Sequence, residues 1–243
     1  MKAVVLAGGR GTRGRPFTDY IPKAMIPIDG KPLIAHIVRH LSSFKIISEI
    51  VVLADFDGLG KQIERYFENN TETKKPLKFV QDSQSGTGGD LVHLEKPLGR
   101  DPEFLLWFVD NLTPLDIRNM HQFHMQKNTL ATIATRKFRK EETGYAIVKD
   151  GIVVEFKEKP TIKLEMAECL GIYILDSKIL KIIKSKKTKK EVNLSYDILQ
   201  PLSKKGEISA YDIGKQPWID VDSPSRVERE KGLMDSIIRK IQD

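Results

Sequence analysis

The stretch Val4-Val5-Leu6-Ala7-Gly8-Gly9-Arg10-Gly11-Thr12-Arg13 constrains this chain more than any other. Lys2 to Ala7 is a short apolar run rich in β-branched residues and closed by glycines, the pattern of a buried strand. It runs directly into a Gly-rich loop carrying Arg10, Arg13 and Arg15. Glycines without Cβ let backbone N–H groups approach an anion closely, and successive N–H groups in such a turn form an anion-binding concavity. The arginines add planar donors suited to phosphate oxygens. A strand end built this way suits polyphosphate.

Gly9 to Gly14 also spells G-x-G-x-x-G, the dinucleotide fingerprint, which needs a helix opening inside it. Pro16, Pro22 and Pro27 follow closely and oppose a continuous helix. No Gly-Lys-Ser/Thr follows, so a Walker-type loop is excluded. The bland alternative is a surface turn with stray arginines.

Further along, apolar residues at 33, 34, 37, 38 and 41 predict a helix over Pro32 to Phe44. Glu49 to Ala54 reads as a strand, Gly60 to Asn69 as a helix, Leu77 to Val80 as a third strand and Phe104 to Val109 as a fourth. Strands alternating with helices favour a mostly parallel sheet with covered faces, whose ligands sit at the carboxyl ends of the strands. The loop after the first strand, Gln81 to Gly89, and Asp110 all fall at such ends. Asp110 closes an apolar run, where an unpaired carboxylate is costly to bury. A helix cap or a Mg²⁺ ligand would each account for it.

The ordered run Leu6-Ala7-Gly8-Gly9-Arg10-Gly11-Thr12-Arg13, Pro16-Phe17-Thr18, Pro22-Lys23-Ala24-Met25-Ile26-Pro27 resembles the signature of nucleotide-sugar pyrophosphorylases, the sugar-1-phosphate nucleotidyltransferases. The resemblance implies an α/β fold. It would be a Rossmann-like, mostly parallel twisted sheet flanked by helices, with a small antiparallel sugar-binding subsheet. It implies one domain over residues 1–243, with 1–112 mainly nucleotide-binding, 113–224 mainly for the sugar phosphate, and 225–243 a terminal helix. Leu6, Ala7, Gly8, Gly9, Gly11 and Thr12 would hold the nucleotide, with Arg13 and Lys23 on its phosphates. Gln81, Gly86 and Thr87 lie in a Gln-x-x-x-x-Gly-Thr-Gly pattern similar to that of uridylyl- and thymidylyltransferases in the family, with Gln81 reading the base.

Lys149-Asp150-Gly151 between apolar runs is a hairpin signal. Glu158-Lys159-Pro160 after it resembles the family's Glu-Lys-Pro. The resemblance places Tyr145, Ala146, Glu158, Lys159 and Cys169 on the sugar phosphate, with Lys159 counted as catalytic. Phe108-Val109-Asp110-Asn111 is similar to the family's Gly-Asp pair, and Trp218-Ile219-Asp220-Val221-Asp222 to its Trp-x-Asp-x-Gly. These make Asp110 and Asp220 the Mg²⁺ ligands. The chain departs from the family pattern at Gly14, Val109, Ala146, Cys169 and Asp222. Cys169 stands where an amide normally touches the sugar, which favours a plain hexose. Ser225 to Gln242 reads as one amphipathic helix after a Ser-Pro-Ser cap.

The activity implied is transfer of a nucleotidyl group, dTTP or UTP favoured, to a hexose 1-phosphate with release of pyrophosphate. A GTP-using enzyme similar to mannose-1-phosphate guanylyltransferases is the main alternative. A non-catalytic nucleotide-binding subunit of the same fold, a transferase acting on a non-sugar phosphate such as phosphocholine, and a dinucleotide-dependent oxidoreductase stand further off. The formal net charge of +7 fits a triphosphate enzyme, and the six lysines of Lys181 to Lys190 read as a solvated helix end, so nucleic acid is not expected. No membrane span, signal peptide or appended β-helix is expected, and a single cysteine fits a reducing cytoplasm. A homo-oligomer is left open.

Overall fold

The computed structural model describes residues 1–9, 11–70, 72–186 and 190–242. Arg10 of the loop, and Lys187 and Lys189 of the lysine run, lie outside the described residues. In chain order the elements are β1 (Lys2–Leu6), the short β2 (Pro27–Ile28) and β3 (Lys31–Pro32), α1 (Leu33–Ser43), β4 (Ile50–Ala54), α2 (Lys61–Asn69) and β5 (Leu77–Gln81). Two helical turns, α3 (Gly86–Gly89) and α4 (Glu95–Leu98), lead to β6 (Glu103–Phe108), β7 (Asn111–Leu112) and α5 (Ile117–Lys127). Then come β8 (Ala131–Lys140), β9 (Tyr145–Lys149), β10 (Ile152–Lys157), β11 (Thr161–Asp176) and α6 (Lys178–Lys184). A π-helical turn over Leu194–Leu199, α7 (Gln200–Ser203), β12 (Ile208–Asp212), β13 (Ile219–Asp220), α8 (Pro224–Arg229) and α9 (Lys231–Gln242) complete the chain.

Seven strands form the central sheet in the order β12-β8-β11-β6-β1-β4-β5. β1 runs parallel to β4 and β6, β4 to β5, and β12 to β8; β11 runs antiparallel to both β6 and β8. The sheet is thus mixed and mostly parallel. From β1 the chain first steps to β4 and β5 on one side, then crosses to β6 on the other. The β1/β6 boundary is therefore a topological switch point, where loops leave neighbouring strands in opposite directions and open a crevice.

Both faces of the sheet are covered, as the apolar strands require. Ala3 and Val5 face α1 and α9 through Ile34, Ile37, Val38, Met234 and Ile238. Val4 and Leu6 face the opposite layer, with Leu91, Leu94, Ile179, Ile183 and Leu194. Alternation along one strand feeds two cores. The terminal segment differs from its sequence pattern: it is two helices, α8 and α9, meeting at Glu230 (φ −103°) rather than one. Ser223 caps α8 by accepting from the Arg226 N–H, with Pro224 at its start.

The Asp-Gly signal gives the expected hairpin: Asp150 and Gly151 both take positive φ (46° and 79°), and β9 and β10 form their own antiparallel two-stranded sheet. Every residue of both strands is exposed. The ribbon is carried on the outer ends of β8 and β11, whose pairing slips between Lys163 and Glu168. Among the described residues no helix is long and apolar enough to cross a membrane.

Candidate active site

A cavity of about 710 Å³ opens at the carboxyl ends of β1, β4 and β6, at the switch point. Its walls include Leu6, Ala7, Gly8, Gly9, Gly11, Lys23, Gly86, Thr87 and Asp110, nine of the residues expected at the site. Of these, Gly8 has the most confined backbone: a Cβ there would fall 1.9 Å from Oδ2 of Asp82. Gly11 takes the left-handed conformation (φ 59°), and its carbonyl accepts from Thr18 Oγ1 at 2.6 Å, which pins the loop.

One end of the cavity is ionic. Lys23, side chain only 10% exposed, donates to Oδ2 of Asp110 at 2.9 Å. Asp110 Oδ1 accepts from the Asn111 side-chain amide at 2.8 Å. Asp220 reaches the same place from the far end of the chain, because β13 pairs with β7 and the Val221 N–H donates to the Asp110 carbonyl at 2.7 Å. Burial and the nearby Asp110 push the Asp220 carboxyl above its usual range. Its Oδ1 is buried without a hydrogen-bond partner. Two adjacent carboxylates, one with an orphaned oxygen, are a donor set that fits Mg²⁺ completed by phosphate oxygens. Among the described residues no larger cluster of His, Cys, Asp or Glu offers a metal site.

Arg13 sits beside this centre, 3.6 Å from Asp220 and 3.3 Å from Asp222, on a side chain 68% exposed. So exposed a pair contributes little to stability, which leaves the guanidinium free to exchange partners. Thr12 precedes it in the same turn, outside the cavity wall. Gly14, where the family carries a larger residue, is buried, and a Cβ there would meet Thr18 Cγ2 at 2.7 Å.

Asn111 is the residue that sequence reasoning passed over. Its side-chain oxygen accepts from Trp218 Nε1 (2.9 Å) and the Gly171 N–H (3.3 Å), and its amide holds Asp110. It thereby ties β7, β11 and the approach to β13 around the acidic pair. The signal was its place directly after Asp110.

The opposite end of the cavity is lined by Asp55, Leu59, Gly60, Gln84, Asp90 and Glu191. Gln81 is exposed, outside this wall, with its amide fully engaged. Its Oε1 accepts from the N–H groups of Phe56 (2.7 Å) and Asp57 (3.1 Å). Its Nε2 donates to Asp55 Oδ1 (3.1 Å) and the Asp82 carbonyl (3.0 Å). Gln81, expected to read the base, here braces the 55–57 turn: it supplies the Asp57 N–H with its acceptor and shares the Phe56 N–H with the Ala54 carbonyl. Asp55 could have been read from the sequence: it ends an apolar strand just as Asp110 does.

The residues expected on the sugar phosphate are not gathered at this cavity. Tyr145 and Ala146 lie on the exposed ribbon. Lys159 follows the ribbon at φ 45°, its N–H donating to the Thr143 carbonyl, and the Glu158 carboxylate lies over Gly144. Cys169 is exposed on β11, where partial burial and Glu168 push its thiol up, leaving a protonated, poor nucleophile.

Relatives agree with this architecture. The chain is 27% identical to a UTP–glucose-1-phosphate uridylyltransferase of Synechocystis sp., with all of this chain and 66% of the relative aligned. It is 27% identical to a mannose-1-phosphate guanyltransferase of Aspergillus oryzae (92% of this chain, 61% of the relative). With a glucose-1-phosphate cytidylyltransferase of Salmonella typhimurium it shares 28% identity over 87% of this chain and 88% of the relative. The chain spans about two thirds or less of the first two relatives. In solved structures, HddC from Yersinia pseudotuberculosis superposes with a TM-score of 0.70 at 20% identity, covering 98% of each chain, a likeness of fold. A family model described as nucleotidyl transferase matches residues 2–229, and the chain belongs to that family.

Proposed function

We propose that this chain transfers a nucleotidyl group from a nucleoside triphosphate to a hexose 1-phosphate, releasing pyrophosphate. The observation that carries this reading is the pairing of Lys23 and Asp110 in the wall of a glycine-lined cavity, with Asp220 beside them. A sugar-phosphate oxygen attacks the α-phosphorus, and the bond to the β-phosphate oxygen breaks. Both reactants are anions, so their repulsion must be neutralised and their geometry fixed. The Gly8–Gly11 backbone approaches the triphosphate, Lys23 moves from Asp110 to a phosphate oxygen, and Arg13 leaves its two carboxylates for the departing pyrophosphate. Asp110 and Asp220 would hold Mg²⁺, which when bound supplies charge neutralisation at the reacting phosphates. The attacking oxygen is already ionised, so the chain needs no general base.

Pyrophosphate release over a panel of triphosphates and hexose 1-phosphates tests the reading, with chelation of divalent metal expected to abolish it. A second reading, a nucleotide-binding member without turnover, draws on Asp222, which holds Arg13 where the family pattern has glycine. Absence of pyrophosphate from every pair would decide for that reading. The expectation of uracil or thymine rests on Gln81 facing the base; here its amide contacts Phe56, Asp57, Asp55 and Asp82, and the triphosphate panel decides between the bases.

A further inference from the structure

The end of the cavity away from Lys23 and Asp110 is where a base would lie, and it is rich in carboxylates. Three carboxylates line it, from Asp55, Asp90 and Glu191. Oδ1 of Asp90 is occupied, accepting from the N–H and hydroxyl groups of Ser83 and Ser85, each at 3.0 Å. The Gln84 amide points at Asp55 Oδ2 from 3.5 Å, and Thr87 Oγ1 accepts from the Leu194 N–H.

Asp55 is held in place from behind. Gln81 donates to its Oδ1, and its own carbonyl accepts from the N–H groups of Gly58 (3.3 Å) and Gly60 (2.9 Å). A Cβ at residue 58 would fall 2.5 Å from Asp55 Oδ2, and one at residue 60 would fall 2.4 Å from the Asp55 carbonyl oxygen. The two glycines thus keep the turn closed around this aspartate. An ionised carboxylate is acceptor-only, with two oxygens and about four lone-pair sites. The Gln81 and Gln84 contacts leave sites on both oxygens.

Resting on the transfer reading above, we infer that Asp55 reads the base and that the base it selects is guanine. Guanine alone among the common bases presents two adjacent N–H donors, N1–H and the 2-amino group, on its pairing edge. These match the two oxygens of one carboxylate. Uracil and thymine offer one N–H flanked by two carbonyl oxygens, which a carboxylate repels. Cytosine and adenine set an amine beside an unprotonated ring nitrogen, so one oxygen of Asp55 would face a lone pair. Gln81 is then a positioning residue, fixing Asp55 and the 55–57 turn. Like-charge apposition at this end is relieved when the base supplies donors, which makes a donor-rich edge the favoured occupant.

The test is kcat/KM, with Kd alongside, for GTP, ITP, UTP, dTTP, CTP and ATP on wild type, Asp55→Asn and Asp55→Glu. Wild type is expected to favour GTP over UTP and dTTP by about 10²-fold, the discrimination of one bidentate base contact. ITP lacks the 2-amino group and should fall about 10-fold below GTP. In Asp55→Asn, which keeps an acceptor for Gln81 but replaces the other with a donor, the GTP-to-ITP ratio should collapse towards one. The KM for the sugar phosphate should stay put. Should Asp55→Asn fail to fold, the wild-type GTP-to-ITP ratio and Asp55→Glu still decide. Preference for UTP or dTTP, or an unchanged GTP-to-ITP ratio in the variants, overturns the inference and leaves the transferase reading standing. No turnover with any triphosphate, together with GTP binding no tighter than UTP, overturns both.

Discussion

The two ends of this molecule were assembled to different standards. Around β1, β4 and β6 the strands are buried on both faces, and the loops that leave them converge on one cavity. Around β9 and β10 every residue is exposed, Ile147, Val148, Ile152, Val153 and Phe156 among them, and the residues expected on the sugar phosphate stay apart. The lesson is that residues at core strand ends are placed by the core, whereas residues on a projecting arm are not. A phosphate cradle built on parallel strand ends is rigid because moving it would open the sheet. An arm with no core beneath it has few buried contacts to hold it in one place.

The contrast can be broken most directly by amide exchange. Protection in β1 and β6 should exceed that in the ribbon by about 10³-fold or more, since only the former requires global unfolding to open. Equal protection would show that the ribbon is clamped. Next in size, Lys23→Ala or Asp110→Asn should lower kcat by on the order of 10²–10³-fold, with the protein still folded by circular dichroism. An unchanged kcat would move the reacting centre elsewhere. A smaller effect is expected for the arm: Lys159→Ala should raise the KM for sugar phosphate by about 10-fold while triphosphate binding holds, the loss of one charged contact. If KM does not move, Glu158 and Lys159 are solvated charges and the sugar lies against another surface.

The smallest effect sharpens the rigid side. Asp82, under Gly8, has its carboxyl pushed up to about 6 by burial and by Asp90 and Asp55, against an ordinary 3.8. The folded state therefore keeps a proton that the unfolded chain releases, and stability falls as pH rises from about 4 to 6. Asp82→Asn should flatten that slope. At pH 7 it should raise Tm by roughly 5 °C, from a penalty on the order of 2 kcal/mol. A lowered Tm would reveal a partner for the buried Oδ1.

What the sequence disclosed follows the same division. The places of Leu6 to Gly9 and of Asp110 at strand ends were legible because a strand and its outgoing loop are contiguous, so local composition carries their position. The Asp150-Gly151 turn was legible for the same reason. The contacts of Gln81 were not legible because they are made by residues 55–57, which only the β4/β5 pairing brings alongside. β8 gave no clear signal: Ala131-Thr132-Ile133-Ala134-Thr135 mixes small and polar residues, and its burial comes from β11 and β12 on either side. The break at Glu230 lies inside a run whose apolar spacing reads as one helix.

The β1/β6 pairing also sets when this cavity can come into being during synthesis. Its first wall leaves the ribosome with residues 7–11, but the strand beside it is residues 103–108, and the second carboxylate is residue 220. At translation rates of about 5–20 residues per second, the glycine loop waits on the order of ten seconds or more for Asp220. Contacts of such sequence separation must be closed before they stabilise anything. A ligand of this cavity therefore cannot template the N-terminal half as it emerges. It can only reward a chain that has already finished folding, as a seal on the completed sheet.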